Sequence, residues 1–151
     1  AQDGRASLDD IARQINVPVK EVQACIGKLE KDGIILGYRA RINWQRIKVG
    51  DVKALIEVKV APERRVGFDS VAETIYRFPE VTDVILISGG FDLIVYVEGA
   101  TLQEVAFFVS EKLSTIKGVQ STVTHFMLKK YKEDGVILEG QHDSKRLPVT
   151  L

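Results

Sequence analysis

The chain has 151 residues, 45% hydrophobic and 28% charged, with a formal net charge of zero. That is the balance of a soluble globular protein with one ordinary domain or two small ones, and it excludes a disordered or membrane-embedded chain. A single Cys25 and two histidines exclude an internal disulfide and make a closed zinc site improbable, so the expected setting is a reducing cytoplasm, with no metal, no cofactor and no membrane contact.

Ser7 is a helix N-cap residue, and Asp10 three positions on resembles a capping box. Leu8, Ile11, Ala12 and Ile15 follow at the spacing of one buried helical face. Asn16-Val17-Pro18 stops this helix, and Pro18 suits the first turn of the next. There Val19, Val22, Ile26 and Leu29 form the apolar stripe and Gly33 the C-terminal cap. Two short helices joined by a turn of about three residues make a helix-turn-helix. Residues 34–42 then predict a strand, a turn and a second strand, the hairpin that follows such a unit as its wing. Residues 44–51, with Trp44 and Gly50, are expected to be a linker.

Beyond the linker the pattern changes. Val52, Ala54, Ile56, Val58 and Val60 alternate with mostly polar residues, a strand ended by Pro62. Phe68, Val71, Ala72, Ile75 and Phe78 predict a helix closed by Pro79. Residues 81–88 and 91–98 predict two strands around a Gly89-Gly90 turn. Thr101 caps a second helix with Leu102, Val105, Ala106, Val109, Leu113 and Ile116 on one face, and residues 119–131 form a last strand. The order βαββαβ is the ferredoxin-like split motif. Two helices cover one face of four strands, so the other face needs a partner, most simply a second copy.

On the second helix of the helix-turn-helix, Lys20, Gln23, Ala24, Gly27 and Lys31 share the face opposite the apolar stripe, with Lys28 at its edge. Lysines at both ends can reach phosphates, and Gln23 can pair with adenine. Ala24 and Gly27 leave little bulk between them, as close approach to a major groove requires. Arg39 and Arg41, two apart on the expected wing strand, suit phosphate or minor-groove contact. A solvated helix face and ordinary strand arginines are the competing reading. Cys25 borders the apolar stripe and reads as a packed small hydrophobe. Residues 1–50 carry nine Lys/Arg against six Asp/Glu, and residues 51–151 twelve against fifteen. The charge therefore leans toward a nucleic-acid partner at the N-terminal end.

In Ser88-Gly89-Gly90-Phe91-Asp92, two glycines expose backbone N–H groups that can hold a carboxylate, and Asp92 could pair with an ammonium. Thr122, Thr124 and His125 could add polar groups. The alternative is a tight hairpin with Asp92 bonding its own backbone, and a satisfied structural His125.

Several phrases resemble the Lrp/AsnC (feast/famine) family: DGRASLDDIA (3–12), KLEKDGIILGYRARIN (28–43), ISGGFDLIVYV (87–97) and IKGVQSTVTHFMLKKYK (116–132). The resemblance covers roughly residues 1–132. It implies an α+β chain: a winged helix-turn-helix over 1–43 whose first helix is largely missing, a linker over 44–51, a ferredoxin-like effector-binding and oligomerisation domain over 52–132, and an extension over 133–151. It further implies a transcriptional regulator that binds double-stranded DNA. The effector would be an amino acid or related metabolite held near the glycine-Asp turn, and the dimers would assemble to octamers. The chain departs from the family at Pro18 and at Gln23-Ala24-Cys25, where a hydroxyl residue and an arginine-rich triplet are usual. Two other functions remain open. One is a stand-alone small-molecule sensor with a vestigial helix-turn-helix. The other is an enzyme of the siroheme-decarboxylase type, against which stand the scarcity of histidine and the lack of any catalytic triad or phosphate loop.

Overall fold

The computed structural model describes residues 4–40, 42–43, 47, 51–61 and 67–138. Arg41, Trp44, Gly50, Pro62 and the tail beyond Leu138, all used above, lie outside the described residues. The chain divides into two compact units, residues 1–44 and 45–151.

In the first unit, α1 (Leu8–Ile15) opens on Ser7, whose Oγ accepts from the Asp10 backbone N–H at 3.1 Å. Arg13 closes a one-turn ion pair with Asp10 at 2.5 Å. The helix ends at Asn16 in the left-handed region, φ 54°. After Val17 and Pro18, α2 (Val19–Lys31) buries Val22 and half-buries Val19, Ile26 and Leu29, as the apolar stripe predicts. Gly33, at φ +68°, ends it in a Schellman motif: Ile34 N–H donates to Leu29 C=O at 2.9 Å and Gly33 N–H to Glu30 C=O at 3.1 Å.

The expected wing hairpin is not formed among the described residues, since 34–40 carry no strand. A lone two-stranded ribbon is marginal without a buried face. Here Ile34, Leu36 and Tyr38 are all exposed. The Tyr38 hydroxyl instead donates to Glu30 on α2 at 3.0 Å, and this carboxylate raises the Tyr38 pKa.

The second unit runs β1 (Val52–Val60), α3 (Phe68–Ile75), β2 (Val81–Leu86), β3 (Leu93–Gly99), α4 (Leu102–Phe107), β4 (Val119–Phe126) and a small hairpin of β5 (Lys132–Glu133) and β6 (Val136–Ile137). The first four strands form an antiparallel sheet in the order β2-β3-β1-β4, the topology expected of βαββαβ. Alternation puts Ala54, Ile56, Val58 and Val60 of β1 and Leu93, Val95 and Val97 of β3 on one face, fully buried. Against them pack Val71 and Ile75 of α3 and Val105, Phe108 and Leu113. Phe78 meets Phe108 edge to face at 5.5 Å.

The helix that follows Thr101 is not a continuous α-helix. A π turn (Phe108–Lys112) and a 3₁₀ turn (Leu113–Thr115) follow α4. Phe108 is buried, while Leu102 and Ala106, expected inside, are exposed. The third helix stops at Ile75, one turn before Pro79. The last sheet strand ends at Phe126 rather than residue 131. Asp134-Gly135, both at positive φ, turn the chain into the β5–β6 hairpin.

The opposite face of the sheet is open. Cross-strand register places Leu55, Glu57, Ile94, Tyr96, Ile85, Val123 and His125 on it. Ile85 is 46% and Val123 41% exposed. His125 stands 3.6 Å from Glu57.

Candidate functional site

On α2 the structure gathers the expected residues. Lys20, Gln23, Ala24, Gly27, Lys28 and Lys31 are all exposed, with the buried Val22 turned the other way. A Cβ built on Gly27 would meet nothing within 4 Å, so nothing among the described residues requires a glycine there. In mid-helix it costs about 1 kcal/mol relative to alanine. Close approach by something outside the chain is a reason for keeping it. Arg39 is exposed; Arg41 lies outside the described residues. Cys25, expected to be packed, is instead exposed and free.

The glycine turn is a longer loop than a two-residue hairpin. Ile87 N–H donates to Asp92 C=O at 2.9 Å, closing the loop over Ser88, Gly89, Gly90 and Phe91. Ser88, Gly89 and Gly90 are exposed, Phe91 and Asp92 half-buried. Asp92 does not fold back on its own loop. Its N–H donates to Val58 C=O at 3.1 Å, and its Oδ2 accepts from Val60 N–H at 2.8 Å. Lys59 Nζ lies 3.2 Å from Oδ2 and 3.3 Å from Oδ1. The Val60 N–H, aided by Lys59 and opposed by burial, holds this carboxyl below the usual carboxylate range. The carboxylate thus ties the loop to β1, and a ligand ammonium would have to share it with Lys59.

Thr122 pairs with Val58 and Thr124 with Ile56, so both point to the helix-covered side of the sheet. Thr122 lies across β1 from the Asp92 end of β3, two strand spacings or about 10 Å away; Thr124 is one pleat further along. The loop and Thr122 therefore share one end of the sheet without touching.

Sequence reasoning missed Lys59 and Val60 as the partners of Asp92, because a cross-strand contact depends on register. It also missed the β5–β6 hairpin, although Asp134-Gly135 is a strong turn signal.

Among the described residues no helix is long and apolar enough to cross a membrane, and no group of three His, Cys, Asp or Glu is placed to hold a metal ion. A helix-turn-helix unit followed by a ferredoxin-like βαββαβ unit with an open sheet face defines a two-part transcription regulator.

Comparison with known proteins gives the family. The Lrp/AsnC ligand binding domain matches residues 53–137, and a winged helix-turn-helix DNA-binding domain matches residues 1–35. The uncharacterized HTH-type transcriptional regulator YugG of Bacillus subtilis (strain 168) is 50% identical over 150 residues, 99% of this chain and 90% of YugG. Two solved structures share the fold at 22% identity. The feast or famine regulatory protein from M. tuberculosis complexed with L-methionine has a TM-score of 0.70 and covers 91% of this chain and 90% of its own. A transcriptional regulator–L-Met complex from Neisseria meningitidis has a TM-score of 0.69, with 86% and 83% covered. This chain belongs to the Lrp/AsnC family of DNA-binding transcriptional regulators.

Proposed function

We infer that the protein is a cytoplasmic, non-catalytic regulator that binds duplex DNA through the exposed face of α2, under control of an amino acid bound near the loop 88–92. The observation that carries this reading is the α2 face itself. It presents lysines at both ends, a glutamine, and a glycine that the fold does not need. The L-methionine in two structural neighbours supports an amino acid as effector class. The exposed glycine amides suit its carboxylate, and Asp92 suits its ammonium. Proposed DNA contacts are Lys20, Gln23, Ala24, Gly27, Lys28, Lys31, Arg39 and Arg41; proposed effector contacts are Ser88, Gly89, Gly90, Phe91, Asp92, Thr122 and Thr124. The proposed division is that of the sequence: DNA-binding 1–43, linker 44–51, sensor 52–132, extension 133–151.

The working unit in this reading is a homodimer joined through the open sheet face, further assembled to an octamer. Leu55, Ile94, Tyr96, Ile85 and Val123 lie on that face around Glu57 and His125, and a second copy would cover them. A second reading, a stand-alone sensor, draws on the absence of wing strands in 34–40.

The test couples the two sites. A duplex is selected from a random pool with the full chain, and the twenty amino acids are screened by thermal shift. Any hit must change DNA affinity, and DNA must change its affinity by the same factor. Selection of no duplex favours the stand-alone sensor. Selection of a duplex with no active amino acid contradicts the effector part.

A further inference from the structure

The open face of the sheet carries charge among its apolar residues. Strand register brings to it Lys53, Glu57 and Lys59 of β1, Glu98 of β3, Asp83 of β2 and His125 of β4. The helices pack on the other face. Most of these charges are matched within the sheet. Lys53 pairs with Glu98, and Lys59 with Asp92 of the glycine loop at 3.2 Å. Glu57 faces His125, with Oε1 3.6 Å from Nε2. Asp83, opposite Tyr96, has no ion pair among the described residues.

The charge of the face therefore turns on His125. With the imidazole protonated, Glu57 is matched and Asp83 alone is left over. With it neutral, both carboxylates are unmatched. Neither lysine is free to replace the imidazolium, because each already holds a carboxylate. In a single chain this matters little: the His125 side chain is 54% exposed, and water screens the pair.

Under a second copy the same groups leave water. A buried carboxylate needs a counter-charge. Two like faces also bring the same unmatched carboxylates together, and like charge across an interface opposes association. Burial alone favours the neutral imidazole, but here it is outweighed by the adjacent carboxylate and by repulsion between the copies. We propose that the open face is a proton switch: pairing with a second copy takes up a proton at His125 of each protomer. The dimer is then tight where the imidazole is charged and loosens as pH rises through the histidine range, between about pH 5 and 8. This rests on the homodimer reading above and adds its regulation.

The experiment is sedimentation velocity of the full chain, from nanomolar to micromolar, at constant ionic strength between pH 6 and pH 8. Ordinary carboxylates and lysines do not change charge in that interval. The dissociation constant should rise at least about tenfold across it. The ceiling is about a hundredfold per pH unit, set by two protons per dimer. His125→Lys keeps its charge and should hold the low-pH constant up to pH 8. Glu57→Gln removes the need for a counter-charge and should abolish the slope; it tests the switch should His125→Lys not fold. A dissociation constant that is flat in the wild-type chain, or a dimer still intact at nanomolar protein and pH 8, overturns the proposal and leaves the homodimer standing. An unchanged slope in either variant does the same, since the titrating pair then lies elsewhere. A chain that is monomeric at micromolar protein at every pH removes the homodimer itself, and the switch with it.

Discussion

Gly27→Ala should stabilise the protein and weaken its DNA binding. Gly27 sits in the interior of the thirteen-residue helix α2, and an added methyl meets no atom within 4 Å. The substitution therefore recovers helix propensity of about 1 kcal/mol at no packing cost. For a small domain this raises the melting temperature by roughly 4–8 °C. On DNA the methyl lies between Ala24 and Lys31 on the proposed groove face. If the backbone approaches the bases there, the methyl is an overpacking insertion costing about 1–3 kcal/mol. That corresponds to an affinity loss of roughly five- to 150-fold. Far-UV circular dichroism melts give the first effect, and fluorescence anisotropy on the selected duplex gives the second. A stabilised variant with unchanged or tighter DNA affinity would refute the close-approach argument and leave Gly27 an incidental glycine.

Other expectations follow from the sensor unit. Asp92→Asn should cost about 1–2 kcal/mol at neutral pH, because the charge-assisted bonds to Val60 N–H and Lys59 go with the charge. The folded pKa of Asp92 is depressed. Its contribution is therefore full above the unfolded carboxylate pKa and disappears as pH falls through the folded value. Urea denaturation from pH 7 into the acid range should show a shallower acid limb in the variant, and parallel curves would contradict the assignment. Gly118→Ala should destabilise by about 1–3 kcal/mol. Its φ is +98°, and a Cβ would stand 3.1 Å from Val71 Cγ2; a neutral result in urea titration would count against it. Tyr96→Glu places a charge on the open sheet face and should yield monomers by light scattering at micromolar protein. A wild-type chain that is itself monomeric there would remove the dimer proposal.

Much of the fold was legible because it rests on local periodicity. The stripe on α2, the alternation of β1 and the punctuation at Asn16, Pro18 and Gly33 are local signals that the structure keeps, whereas of the stripe expected on α1 only Ala12 is buried and Ile15 is exposed. The failures came where tertiary packing decides. The π turn separates the buried Phe108 and Leu113 by five residues, a spacing that no 3.6-residue pattern announces. The wing residues have strand-like composition but no buried face in the described chain. The α2 face could be read from helix geometry alone. The partners of Asp92 could not, because Lys59 and Val60 reach it only through strand register.

The central claim is that the lysine-flanked face of α2 holds DNA. It is tested most directly by the salt dependence of affinity for the selected duplex, measured on the wild-type chain and on Lys20→Ala/Lys31→Ala. If both lysines reach phosphates, the slope of log K against log salt falls by about two per monomer, close to one for each phosphate that a lysine no longer neutralises. A double variant with the wild-type slope and affinity would contradict the claim and put any DNA-binding surface elsewhere in the chain.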